Sequence, residues 1–370
     1  MRLQLTLLLL LAAAPAMAQD EAPSTAGGRV DVYADGAIVV VAPAVRASVL
    51  TAEGLRVSGG AMVNFVSGAT PTMMVDAISS ATHFDEVRTA LDLSVARTSH
   101  RNVTLSGSYM ASIESDYLAH GPGLSISGEA LQRMATITGG YRLRFDTVAM
   151  ASGEPLSEQS VTHDVDLRWT QILGRTTRLA LLLNGGLSAC GPDLGCNASP
   201  YRYAALVQDD HILQALREHH PDRRARLAAA ARLSQALGPA VALHVGYRLY
   251  VDTWRIHAHT ADLSVAVALF GERLLLRPSA RFTWQGAASF WRTAYAGDAP
   301  PAFASGDREL SELWNLMVGG SAELAFFAVG PLLRLAPTLR LSHTWYRYPL
   351  LEAAPERNAW LVGGGLDAEF

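Results

Sequence analysis

From Val241 to Asp252 apolar and polar residues alternate, and a period of two excludes a helix for this stretch. In an extended chain Val241, Leu243, Val245, Tyr247, Leu249 and Val251 share one face, and His244, Gly246, Arg248, Tyr250 and Asp252 share the other. The pattern recurs at Arg273 to Gln285 and at Leu333 to Trp345. Strands of globular proteins run to about 5 or 6 residues, whereas a tilted strand that crosses a bilayer takes about 9 to 11. These runs match the second length. Alternation alone does not say which face points inward, because a soluble sandwich alternates as well.

The rest of the chain bears on that choice. Arg2, the apolar run Leu3 to Ala14, Pro15 and the triplet Ala16-Met17-Ala18 form the pattern of a secretory signal peptide over residues 1–18, with cleavage before Gln19. The hydrophobic fraction is 49% and the charged fraction only 17%, against about 25% in a typical soluble domain. No later segment has the roughly 20 apolar residues of a membrane helix, and the most apolar one, Ala37 to Val45, is cut by Pro43. Strands therefore remain as the means of crossing a membrane.

The chain ends on an alternating segment in which Trp360, Val362, Leu366, Ala368 and Phe370 share a face. That ending is similar to the last strand of bacterial outer-membrane proteins, whose terminal Phe is an assembly signal read by the barrel-assembly machinery. The expected fold is an all-β transmembrane antiparallel up-and-down β-barrel of about 14 strands, within a range of 12 to 16, since single-chain bacterial barrels have even numbers. Residues 19–37 read as an N-terminal periplasmic segment and 38–370 as the barrel. The expected strands include 38 to 50, 54 to 66, 86 to 98, 102 to 114 and 132 to 146, then an ambiguous 224 to 236, where LAAAARLSQAL also suits a loop helix. Counting back from a periplasmic C-terminus puts loop 189–223 outside the cell and loop 67–85 in the periplasm.

That second loop breaks the alternation with SGATPTMMVDAISSATHFDEVR, Ser67 to Arg88, and carries Asp76, Asp85 and Glu86. With SGATP, DAISSAT and YRLYVDTW, Tyr247 to Trp254, the sequence resembles a proteobacterial family known only as a domain of unknown function and regarded as outer-membrane barrels. The resemblance implies fold and location; it carries no activity and no catalytic residue. For loop 67–85 it leaves a plug, a cation site, a docking surface for a periplasmic partner, or an ordered loop at the barrel mouth.

The polar faces are rich in arginine, and every one of the 30 basic residues is an arginine. Arg248, Asp252, Arg273, Arg277, Arg281, Arg334 and Arg340 are candidate pore-lining residues, with Arg88, Arg142, Arg144, Arg168 and Arg178 on the same kind of face. Asp92, Asp164, Asp166, Asp262 and Glu323 share it, so the interior is either a charged passage or a salt-bridge network. Cys190 and Cys196 flank GPDLG and, after export, suit a loop disulfide better than a redox or metal pair. Asp209, Asp210, His211, His219 and His220 share the type of the Asp/His pairs of outer-membrane proteases, but nothing in one loop holds them around a water. Their spacing is too irregular for zinc. His257 and His259 suit packing near the membrane interface.

No nucleotide loop, nucleophile elbow or metal cluster appears, so neither metal nor cofactor is expected and no enzyme is inferred. A net charge of −4 gives no reason for nucleic-acid binding. The expected surroundings are outer-membrane lipid and lipopolysaccharide. The functions that follow are a porin-like channel or transport protein, an assembly barrel docking a periplasmic partner through loop 67–85, or, third, a surface hydrolase.

Overall fold

The computed structural model describes residues 23–51, 54–70, 82–99, 102–150, 157–209, 211–297, 299–329, 332–352 and 354–370. Residues 1–18, expected to be a signal peptide, lie outside them. The first nine strands are β1 (Thr25–Ala34), β2 (Ile38–Leu50), β3 (Leu55–Thr70), β4 (Thr82–Thr98), β5 (Val103–Ile113), β6 (Tyr117–Ala130), β7 (Ala135–Ala149), β8 (Ser157–Ile172) and β9 (Thr177–Cys190). After β10 (Tyr203–Gln208) and β11 (His211–Arg217) come β12 (Arg223–Ala236), β13 (Val241–Asp252), β14 (His257–Leu269) and β15 (Leu274–Gln285). The chain finishes with β16 (Tyr295–Ala296), β17 (Leu313–Leu324), β18 (Phe326–Val329), β19 (Leu332–Arg347) and β20 (Glu356–Glu369).

All but β10, β11 and β16 belong to one 17-stranded antiparallel sheet in which β20 pairs with β1, so the sheet closes. Because β17 and β18 are two pieces of one stave against β19, interrupted at Ala325, the barrel has 16 staves. Closure leaves no strand edge unpaired, the condition for a strand structure to sit in hydrocarbon.

Two staves were hidden in the sequence. The sequence places segment 19–37 before the barrel, yet within it β1 pairs with both β2 and β20, the latter from Thr25↔Glu369 to Ala34↔Trp360. Gly27 and Gly28 dilute its alternation. The second is β6, YLAHGPGLSISGEA, whose Gly-Pro-Gly reads as a turn. In the barrel Gly121 lies tight against β7: a Cβ there would lie 1.9 Å from the Leu143 carbonyl oxygen. We expect Gly121→Ala to cost about 1 to 3 kcal/mol, as overpacking against backbone does, and to lower the temperature at which the barrel unfolds on a heat-modifiability gel.

One overlooked strand reverses the direction of everything before it. Loop 67–85 was placed on the same side as the C-terminus, but with β6 counted, β3 ends and β4 begins at the opposite end. Thr70 and Thr82 therefore share an end with loop 189–223, and residues 71–81 between them lie outside the described residues. The ambiguous 224 to 236 is a strand, paired along its length with β9 and β13.

The outer face of the barrel is apolar all the way round. Leu105, Leu124 and Leu187 are 60%, 63% and 61% exposed, in a belt with Leu93, Leu167, Val245, Leu263, Val318 and Leu341. A soluble monomer rarely exposes so large a continuous apolar surface. Cross-strand Tyr–His pairs sit in this belt: Tyr109 with His120 at 2.9 Å, Tyr141 with His163 at 2.7 Å, and Tyr247 with His259 at 2.5 Å. Each ties off the polar atoms of two amphipathic rings, as suits a membrane-interface girdle. His257 packs against Trp284 in the same region.

Candidate functional site

The inner wall is polar because every second residue of each stave points inward, and the sequence places Gly, Ser, Thr, Arg and Asp there. Its carboxylates share a recurring arrangement. Asp367 faces Gly27, Asp92 faces Gly60, Asp166 faces Gly140, Asp164 faces Gly186, Asp262 faces Gly246 and Asp31 faces Gly363, each as a direct cross-strand pair. A Cβ on any of these glycines would come within 2.1 to 2.7 Å of the carboxylate. The side chain thus lies flat on the neighbouring strand, and the wall carries charge without protruding bulk.

Several of these acids hold an arginine. Arg46 meets Asp367 at 2.8 Å, Arg29 meets Asp31 at 3.2 Å and Arg226 meets Asp164 at 3.4 Å. Arg144 meets Asp146 at 2.9 Å, and Arg334 bridges Glu323 and Glu369 near the end that carries Phe370. Of the pore-lining candidates, Arg277, Arg281, Arg340 and Arg248 do face the interior, with the Arg248 guanidinium 5.7 Å from the Tyr250 ring. Arg273 differs: it precedes β15 in the turn, where its carbonyl accepts from Ala325.

Asp252 differs too, because it lines no passage. Its carboxylate is fully buried and accepts from Arg224 at 2.6 Å, from the Tyr250 hydroxyl at 3.0 Å, and from the backbone N–H groups of Trp254 and Ile256 at 3.0 Å each. Arg224 in turn lies 3.8 Å from the centre of the Trp254 ring. The YRLYVDTW segment is therefore a latch that fixes the β13–β14 turn.

Above that latch the long connections fold over the mouth at the end opposite Phe370. Trp254, Ile256, Ala288, Trp291, Leu313, Tyr348 and Leu351 form a buried cluster against Cys196. The inward-facing Tyr250 and Tyr346 pack against the cluster, so the cap leans over the lumen from the β12–β20 side. The Cys190–Cys196 disulfide, with Cα atoms 5.2 Å apart, ties the end of β9 to the cap. The strands β10, β11 and β16 make a small sheet within it.

The cap also contains buried charge. Glu218 is fully buried and accepts from the Ser305 hydroxyl and from Ser199 N–H at 2.8 Å, with Arg202 at 3.8 Å. His220 donates from Nδ1 to the Cys196 carbonyl at 2.9 Å, while its Nε2 comes within 3.3 Å of Glu218 without the alignment of a hydrogen bond. Burial pushes the Glu218 carboxyl up, but His220, Ser305 and Ser199 outweigh it and hold it below the usual carboxylate range. Asp307, ion-paired with Arg202, is pushed up by burial.

The Asp/His set of the long loop does not converge. Both ring nitrogens of His219 face carbonyls, of Ala302 at 2.8 Å and Pro192 at 3.1 Å, His220 is buried, and His211 is exposed on β11. Asp209 sits in the turn after β10, and Asp210 and Asp76 lie outside the described residues. Asp85 is on β4. Glu86 meets Glu114 and Asp116 of the β5–β6 turn, with ligand atoms within 4.8 Å, close enough for a cation. Arg88 already partly neutralises this group, 3.3 Å from Glu114. Sequence reasoning missed Glu218, Arg202, Ser305 and Asp307. Their partners lie as many as 105 residues away in the chain, and no local spacing signals them.

Among solved structures, a bacterial polysaccharide outer membrane secretin superposes with TM-score 0.51 at 10% identity, over 95% of this chain and all of its own. This likeness shows the fold. The monoaromatic hydrocarbon channel CymD gives TM-score 0.46 at 10% identity, over 95% of this chain and 89% of its own. The outer membrane protein opdK from Pseudomonas aeruginosa gives 0.43 at 10% identity, over 95% and 100%. No curated protein matches the sequence. Residues 157–329, from the start of β8 to the end of β18 and including the YRLYVDTW latch, match the model of the family described as "Protein of unknown function (DUF3570)".

Proposed function

We propose that the protein is a channel of the Gram-negative outer membrane, exported by the segment 1–18 and passing small polar solutes through its lumen. The observation that carries this reading is the pairing of a continuous apolar outer belt with a flat, arginine-rich inner wall in a barrel of 16 staves. Barrels of 16 to 18 strands are the size at which an aqueous channel remains. Outer-membrane lipid and lipopolysaccharide would cover the belt, and the barrel-assembly machinery would read Phe370, which lies on the outer face at the barrel's end.

The test is conductance of the refolded chain in a planar lipid bilayer, with the reversal potential under a salt gradient. Stable open-channel steps with anion preference are expected. A folded barrel that stays silent would overturn the reading.

A further inference from the structure

We propose a binding site for a small, doubly charged oxyanion of phosphate type in the inner wall, on β9 and β12 to β15. The inference rests on the channel reading only for its purpose, because the site is built from wall residues whether or not current flows.

Strand register assembles the site from five staves. Arg178, Ser234, His244, Ser264 and Ser279 are successive cross-strand partners and form one inward-facing row. The next row toward the mouth is Arg232, Gly246, Asp262 and Arg281, partnered in the same way. Together they line a cavity of about 270 Å³ that opens on the lumen. Gly246 contributes no side chain, and the Asp262 carboxylate lies across it.

The charges in this cavity do not balance. Asp262 is its single acid, and it lies 3.7 Å from Arg232. Although Asp262 is also the cross-strand partner of Arg281, the two make no ion pair. Among the described residues neither Arg178 nor Arg281 has an ion-pair partner. On the same wall Arg29, Arg46, Arg226 and Arg334 each have a carboxylate, while Arg248, Arg277 and Arg340 are without an ion pair among the described residues. This cavity differs from those positions in bringing two such guanidinium-bearing residues together with three serines and His244. Two unneutralised guanidinium groups in one concave site leave a charge that a bound dianion would match.

The other donors fit the same ligand. Ser234 is hydrogen-bonded to His244 Nδ1 at 2.8 Å, which fixes the imidazole and leaves its Nε2 edge free. Ser264 and Ser279, adjacent across β14 and β15, add two hydroxyls to the cavity. A tetrahedral oxyanion offers acceptors in several directions at once, whereas a halide offers charge alone. A cation would meet arginines and hydroxyl groups with one carboxylate already engaged.

The experiment is isothermal titration of the refolded full-length barrel with inorganic phosphate at low salt, beside the bilayer recording. Wild type should bind, and the double variant Arg178→Gln with Arg281→Gln should bind about 100-fold more weakly, since each charge-assisted contact is worth roughly tenfold. In the bilayer, phosphate should reduce chloride current through wild type and not through the double variant. Arg133→Gln, in the β6–β7 turn outside the lumen, serves as the charge control and should bind as wild type does. Equal affinity in wild type and double variant, or no binding by wild type, overturns the site. A silent barrel that still titrates phosphate keeps the site and overturns the channel. A conducting barrel that ignores phosphate does the reverse.

Discussion

Asp252→Ala is expected to loosen the capped end of the barrel, opposite Phe370, more than any other single change. The substitution removes the acceptor of Arg224, of the Tyr250 hydroxyl and of two backbone N–H groups, and leaves the Arg224 guanidinium, 12% exposed, unpaired beneath Trp254. Breaking a buried ion pair from one side costs about 3 to 5 kcal/mol, because the remaining charge stays desolvated. The expected readout is faster trypsin cleavage at Arg224 and Arg255, with a lower unfolding temperature on a heat-modifiability gel. Asp252→Asn keeps an oxygen for the backbone N–H groups and should fall between wild type and alanine. If the alanine variant matches wild type in both assays, the latch contributes nothing to stability.

The second large effect belongs to Glu218. Glu218→Ala strips the acceptor from Ser199 N–H and the Ser305 hydroxyl and removes the carboxylate beside His220 in a fully buried site, and a cost of about 3 to 5 kcal/mol is again expected. The cap should then open while the barrel persists, seen as trypsin cleavage at Arg202 and Arg217 in a chain that still migrates as a folded barrel. The same carboxyl sets a pH dependence. Its folded pKa lies below its unfolded value of about 4.3, so its stabilisation is complete above that pH and is lost as the pH falls through the folded value. Asp307 has the opposite sign: its raised folded pKa makes its ionised form a cost above about 3.9, relieved on acidification. Trp254 and Trp291 are 2% and 4% exposed, and their emission should stay constant down to about pH 4 and shift to the red below it. A shift that begins near neutrality would contradict this account of Glu218.

The barrel itself was legible in the sequence because a stave needs only local information. A period of two over a dozen residues, as in Val241 to Asp252, places one face in an apolar medium and the other in a polar one, and each stave that carries the pattern reports this independently. The arginines at 277, 281, 334 and 340 could be placed on the inner face for the same reason. Where glycine and proline replace the alternating residues, as at Gly27-Gly28 and Gly121-Pro122-Gly123, the local signal fails although the pairing with β2 and with β5 runs on. In those strands the neighbouring staves, rather than the local pattern, set the register.

The side of the barrel on which a loop emerges is a sum over all preceding strands. Missing β6 alone was therefore enough to send loop 67–85 to the wrong end. Tertiary structure also decided which charges pair. Asp252 and Arg281 look alike in an alternating strand, yet one is buried under four donor groups and the other faces an open cavity. Their fates depend on Arg224 in the stave beside Asp252 and on Asp262 in the stave beside Arg281, whose carboxylate lies across Gly246. The sequence by itself determined the period, the closing strand and the sign of the inner wall. Only the closed sheet decided the count of staves, the end at which the cap sits and the balance of charge in each cavity, because these depend on residues that are neighbours in space and distant in the chain.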